Sequence, residues 1–232
     1  MRRRSWGVLL AVGALSILLA GGHAVQDHSR AVKSVPTGLK IAALTFDDGP
    51  HPQTTQALLA VLAAKKTPAT FFFLGENAAK YPQLAAAVTA AGQEVASHGH
   101  RHQFPNRRPR DEFLADLAQA EETIAAVAGV RPVLYRPPGG GYNDSLVDEL
   151  ARRGYTTILW SVDPRDWERR SSAQIAADVV RKVTPGAIVL LHEGDCAANT
   201  PAAVAIIVDR LTAEGYELVT VGELLRRYEI RN

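Results

Sequence analysis

From residue 39 onward the chain alternates between two patterns. Short apolar runs, many of them β-branched or aromatic, recur at 41–46, 70–74, 94–97, 133–135, 156–160, 187–192 and 217–219. Runs of that length between turn residues read as buried strands. Between them lie longer alanine-rich stretches with helical spacing, at 54–64, 78–91, 110–127, 145–153, 173–183, 202–214 and 222–228. Strand then helix, repeated seven times with no linker between, predicts a single α/β domain with a mostly parallel sheet covered by helices. This rhythm fits a doubly wound open sheet and a (β/α) barrel equally well.

The first 38 residues do not share this rhythm. Arg2, Arg3 and Arg4 precede an apolar run from Trp6 to Ala20, and Gly22-His23-Ala24 follows. A basic start, an apolar centre and small residues at that spacing predict a signal peptide over 1–24. The run is short beside the roughly 20 residues of a membrane span. The second reading is an uncleaved N-terminal anchor. The protein is therefore expected to be secreted or extracytoplasmic, and to meet a membrane only if the leader stays attached. Residues 25–38 are polar and carry Pro36 and Gly38, the composition of a linker. The folded α/β domain is expected over 39–232.

Charge and cysteine content narrow the partners. The formal charge is +2, and the three arginines of the leader exceed that surplus, so the body is close to neutral. Charge gives no reason to expect nucleic-acid binding. Cys196 is the only cysteine, so no internal disulfide exists and the core alone must hold the fold. A monomer is expected.

The polar residues inside the apolar pattern are not scattered. Asp47 and Asp48 follow the first strand run, and His98, His100 and His102 follow the third. Arg136 follows the fourth, Asp163, Asp166 and Trp167 the fifth, and His192 and Glu193 the sixth. In parallel β/α folds the carboxyl ends of the strands share one face, and sites are built there. Two adjacent acids at the end of a buried strand repel each other and call for a cation. One Asp can bind a divalent metal and leave the other as a base; the alternative is a turn or helix cap. His98 and His102 are four apart, so on a helical turn they would share a face and grip one ion, with His100 pointing away. With Asp48 they make a His-His-Asp set suited to zinc or another divalent ion. Each feature alone also has an ordinary structural explanation: a polar loop, a surface arginine, a buried histidine.

Taken together the motifs are specific. Thr-Phe-Asp-Asp-Gly-Pro (45–50), the two histidines of 97–102, Arg-Pro-Pro-Gly-Gly (136–140), Asp-x-x-Asp-Trp (163–167) and Leu-Leu-His (190–192) occur in that order. In this the chain resembles the polysaccharide deacetylases of the NodB-homology type, carbohydrate esterase family 4, over nearly all of 39–228. The resemblance implies a distorted (β/α) barrel of about seven strands. It implies a metal-dependent hydrolase that removes N-acetyl groups from an N-acetylhexosamine polysaccharide of the peptidoglycan or chitin type. Asp47 would be the catalytic base, His192 the general acid, Arg136 the group orienting Asp47, and Asp166 the group tuning His192. Asp48, His98 and His102 would bind the metal, with zinc expected. Gly139, Trp167 and Leu190 would line the acetyl pocket. The family often has an aromatic residue where Gly139 stands, and Tyr142 is expected to fill that gap. O-deacetylation of a xylan-type polymer, a small-molecule amidase and an inactive glycan-binding module are the competing functions.

Overall fold

The computed structural model describes residues 31–229. The leader and the first residues of the expected linker lie outside that range. The strands are β1 (Ile41–Asp47), β2 (Thr70–Phe73), β3 (Glu94–Ser97), β4 (Leu134–Tyr135), β5 (Thr156–Thr157), β6 (Ala187–His192) and β7 (Glu217–Leu218). The helices are α1 (Pro52–Lys65), α2 (Gly75–Lys80), α3 (Pro82–Ala90), α4 (Arg110–Ala128), α5 (Asp144–Arg152), α6 (Ser172–Lys182), α7 (Thr200–Ala213) and α8 (Val221–Glu229). Every ladder is parallel, in the order β5-β4-β3-β2-β1-β6, with β7 beside the start of β1. Helices cover this curved sheet, giving the expected distorted (β/α) barrel.

Two details differ from the sequence pattern. The helix expected over 78–91 is two helices, because Pro82 cannot continue α2 and instead opens α3 at its first position. The segment 31–38 is no linker. Val32 donates to Thr157 O and accepts from Leu159 N, Val35 donates to Gly186 O, and Val35 is buried. Bridges Val32–Ile158 and Ser34–Ala187 place this segment between the β5 and β6 sides of the sheet. Val162 pairs with Val189 further along the same seam. Polar composition suggested a loop, but backbone pairing at Val32 and Ser34, with Val35 buried beside them, makes a closing strap.

Residue parity explains where the core and the site lie. In a strand, successive side chains point to opposite faces. Ala42, Leu44, Phe46, Phe71, Phe73, Val189 and Leu191 pack in one apolar cluster with residues of α1, α3, α6 and α7. Ile41, Ala43, Phe72, Ala96, Leu134, Ile158 and Ile188 form a second, inside the barrel. Counting on by twos along the inward set gives Asp47, His98, Arg136, Trp160, Leu190 and His192. The inward positions thus turn polar at Asp47, His98, Arg136 and His192, above the apolar cluster. Among the described residues, no helix is long and apolar enough to cross a membrane.

Candidate metal and acid–base site

The register of the sheet brings the groups together. Asp47 of β1 lies level with His192 of β6, and Ser97 of β3 with Tyr135 of β4, so the next residues, His98 and Arg136, emerge side by side. These groups open on a cleft of about 500 Å³ lined by Asp47, Asp48, His98, His102, Phe104, Gly139, Trp160, Asp163, Trp167, Leu190 and His192.

Asp48 breaks the inward parity, and its backbone shows how. Its φ is 73°, in the left-handed region that Asp tolerates better than most residues. The turn there lets two consecutive carboxylates reach one cleft, which an extended strand forbids. Such a backbone costs about 1–3 kcal/mol, and it persists where surrounding structure enforces it.

Asp47 is almost fully buried and is held by Arg136, which is completely buried. Arg136 Nη1 donates to Asp47 Oδ1 at 2.6 Å and to Thr45 Oγ1 at 2.8 Å, and Nη2 donates to Leu159 O at 3.0 Å. The guanidinium also sits 4.1 Å from the centre of the Phe72 ring, on top of the inner core. Removing one partner of such a buried pair leaves an uncompensated charge. With Oδ1 engaged, Asp47 Oδ2 is the oxygen left for chemistry; it lies 3.8 Å from His98 Nε2.

The three candidate metal ligands converge. One donor atom each from Asp48, His98 and His102 lies within 4.8 Å of the others. Asp48 Oδ1 is buried without a hydrogen-bond partner, 3.6 Å from His98 Nε2 and 3.7 Å from His102 Nε2. Those gaps are too wide for hydrogen bonds. His98 Nδ1 is 2.7 Å from the Arg136 carbonyl, which can only accept, so Nδ1 carries the proton and Nε2 presents a lone pair. Burial lowers the His98 pKa against the pull of Asp47 and Asp48, which favours the neutral, ligating form. An orphaned carboxylate oxygen and two imidazole nitrogens facing one point fit a divalent cation. The grouping matches the sequence reading, but the reason differs. Residues 98–102 form an irregular loop after β3, and Gly99 at φ 87° turns it, so no helical turn aligns the two rings. His100 does point away, packing against Gly75.

His192 ends β6 with its own buried partner. Its Nδ1 is 2.7 Å from Asp166 Oδ1, while Asp166 Oδ2 accepts from the His192 backbone N–H at 2.8 Å and from Thr200 Oγ1 at 2.6 Å. Burial alone pushes the imidazole pKa down. The Asp166 hydrogen bond and charge, helped by Asp47 and Asp48, reverse this and raise it to about 9. His192 is therefore a protonated donor at neutral pH. Thr200, at the start of α7, gave no sequence signal because a threonine beginning a helix normally just caps it. Glu193 is also buried: Thr55 Oγ1 donates to it, and its carboxylate fills the space beside Gly49 that a Cβ would need. Burial, with Asp48 and Asp47 adding to it, pushes its pKa up to about 8.

Among the lining calls, Gly139, Trp167 and Leu190 face the cleft and Tyr142 does not. Tyr142 packs against the satellite cluster of Phe113, Leu117, Tyr135, Leu146, Leu150 and Tyr155. Phe104, from the loop after His102, takes the place intended for it. A Cβ at Gly139 would lie 2.2 Å from Phe104 Cε1, so glycine at 139 is what admits the Phe104 ring. Sequence reasoning missed Phe104 because one aromatic residue among arginines carries no periodic signal.

Residues 34–158, more than half the chain, match the family model described as polysaccharide deacetylase. The chain belongs to the polysaccharide deacetylase family. Over 195 residues it is 38% identical to a peptidoglycan-N-acetylglucosamine deacetylase of Bacillus cereus, covering 83% of this chain and 91% of that one. It is 39% identical over 182 residues to a chitooligosaccharide deacetylase of Sinorhizobium fredii, covering 76% and 84%. Among solved structures, the Bc1960 peptidoglycan N-acetylglucosamine deacetylase superposes with a TM-score of 0.81 at 29% identity, covering 83% of this chain and 91% of that one.

Proposed function

We propose that the protein removes N-acetyl groups from an N-acetylhexosamine polysaccharide of the cell wall, outside the cytoplasm, with zinc as its metal. One observation carries this reading. A carboxylate and a protonated imidazole, each held by a buried partner of opposite charge, open on the same cleft as a three-donor metal site.

Asp48, His98 and His102 would hold the ion. Zinc in that position supplies Lewis-acid polarisation of the acetyl carbonyl and makes the attacking water more acidic. The chain supplies the rest. Asp47 takes the proton of that water on Oδ2, while Arg136 holds Oδ1 and keeps the carboxylate from turning. The Gly139 backbone N–H faces the carbonyl oxygen as negative charge develops there. Trp167 and Leu190 enclose the acetyl methyl group. His192 donates from Nε2 to the sugar nitrogen, since Nδ1 is tied to Asp166. The carbon–nitrogen bond breaks, acetate leaves, and the free amine remains on the sugar. A leaving amine must be protonated, and His192 is the group placed to supply that proton. No covalent acyl-enzyme is needed, and Cys196 has no part.

The test is acetate release by the purified chain from peptidoglycan, N-acetylchitooligosaccharides and acetylated xylan, with and without zinc, beside Asp48→Ala. Zinc-dependent acetate from an N-acetyl substrate, lost in the variant, supports the proposal. Acetate from xylan alone would move the chemistry to esters. No acetate from any of them at full metal loading would leave a glycan-binding module or a small-molecule amidase.

A further inference from the structure

The cleft has two rims, and each carries an exposed aromatic ring with an arginine against it. On one, Phe104 is 39% exposed and the Arg107 guanidinium lies 4.8 Å from its ring centre. On the other, Trp167 is 42% exposed and the Arg165 guanidinium lies 5.4 Å away. The rims differ in charge. Arg165 is paired with Glu168 at 2.5 Å. Among the described residues, Arg107 has no carboxylate partner.

The neighbouring arginines are engaged elsewhere. Arg108 lies 3.4 Å from Glu112 and 3.5 Å from Asp116, and Arg110 lies 2.5 Å from Glu149. Arg101 faces a separate hollow with Arg108, Glu112 and Asp116. Within the basic stretch 101–110, Arg107 is the cation that stacks on a ring lining the cleft and, among the described residues, has no carboxylate against it.

Its position is built rather than incidental. Phe104 packs where a side chain at 139 would stand, and Asn106 packs where one at 141 would stand, 2.7 Å from the Cβ that Gly141 lacks. The Phe104 ring also meets His102 edge-on, with ring centres 6.1 Å apart. Gly139 and Gly141 thus seat the loop 104–106 against the cleft wall, and Arg107 follows directly.

We propose that Phe104 and Arg107 form a subsite for a glycan strand that carries carboxylates, so that this chain prefers acidic glycans, of the peptidoglycan kind, to neutral chitin-type oligomers. The ring offers apolar contact to a pyranose, and the guanidinium offers a planar fork matched to a carboxylate. The inference deepens the deacetylase reading and rests on it for the identity of the cleft's ligand. An exposed ion pair of this kind is worth about a fivefold change in affinity.

The test is binding. Calorimetry on the full chain, chelated so that no turnover occurs, compares peptidoglycan strands bearing free peptide carboxylates with the same strands amidated. The wild type is expected to bind the acidic strand about fivefold tighter. Arg107→Gln should bring the ratio to about one, and Arg107→Lys should restore only part of it, because an ammonium keeps the charge and lacks the fork. Arg165→Gln should keep it too, because Glu168 already matches that charge. Equal binding of both strands by the wild type, or an unaltered ratio in Arg107→Gln, overturns the subsite. Acetate release by the zinc-loaded chain is scored separately: a preference without acetate refutes the deacetylase reading and leaves the subsite standing.

Discussion

The floor of the cleft and its rim solve opposite problems. On the floor, Asp47, Arg136, Asp166 and His98 are all at most 3% exposed, and each makes a polar contact to another residue of the floor. Burial makes those contacts strong and makes any unmatched group costly. On the rim, the side chains of Phe104, Trp167 and Arg107 are exposed and rest on ring packing and stacking. The floor has no latitude to vary without losing its charge balance. The rim can change residue by residue, and substrate choice is therefore expected to reside there.

That contrast is broken most sharply at the base. Asp47→Asn keeps the size of the side chain and removes its proton affinity. It should lower kcat by about 10²–10⁴ with metal content unchanged by elemental analysis. Near-full turnover would remove Asp47 from the role of base. His192→Ala should cost a similar factor, again with the metal retained. Next in size is stability. Arg136→Met deletes one partner of a buried pair and should cost about 3–5 kcal/mol in denaturant unfolding. If the loss were only about 1 kcal/mol, as for a surface pair, the floor would not be the charge-balanced layer described above.

The smaller tests read protons and rims. In the metal-free protein, His192 should titrate near 9 by NMR. Its raised value keeps the donor protonated below that pH, so donation is lost only as pH rises through it. Asp166→Asn removes the hydrogen-bonded charge and should bring the titration down toward the ordinary histidine range. A wild-type value already in that range would mean Asp166 positions the ring without tuning it. Phe104→Ala should raise KM severalfold and change kcat little, since the ring touches the cleft and none of the acid–base groups. A fall confined to kcat would place Phe104 on the floor in function if not in space.

How much of this was legible in the sequence follows the same division. The strand ends were readable because buried strands exclude polar residues, so Asp47, Arg136 and His192 stood out against their apolar neighbours. The donor set Asp48, His98 and His102 was readable from residue type, although a loop turned by Gly99 and not a helix brings the two imidazoles together. The rim was misread. Tyr142 is close in sequence to the glycine run, yet it turns into the cluster around Phe113 and Tyr135. Phe104 is distant in sequence from that run and occupies its vacant side. Sequence proximity cannot report which loop fills a gap; only the packed backbone can. The same holds for residues 32–35, whose pairing partners lie more than a hundred positions away.

That last pairing sets an order of events at synthesis. The strap made by Val32 and Ser34 is among the first described segments to leave the ribosome, yet its partners are Ile158 and Ala187. Its bridge partners follow five strands later, and the seam can close only once β6 exists. Contacts so far apart in sequence form slowly. A protein trapped before its C-terminal third is complete is therefore an open, unsealed sheet, with Asp47 already present and His192 still to come.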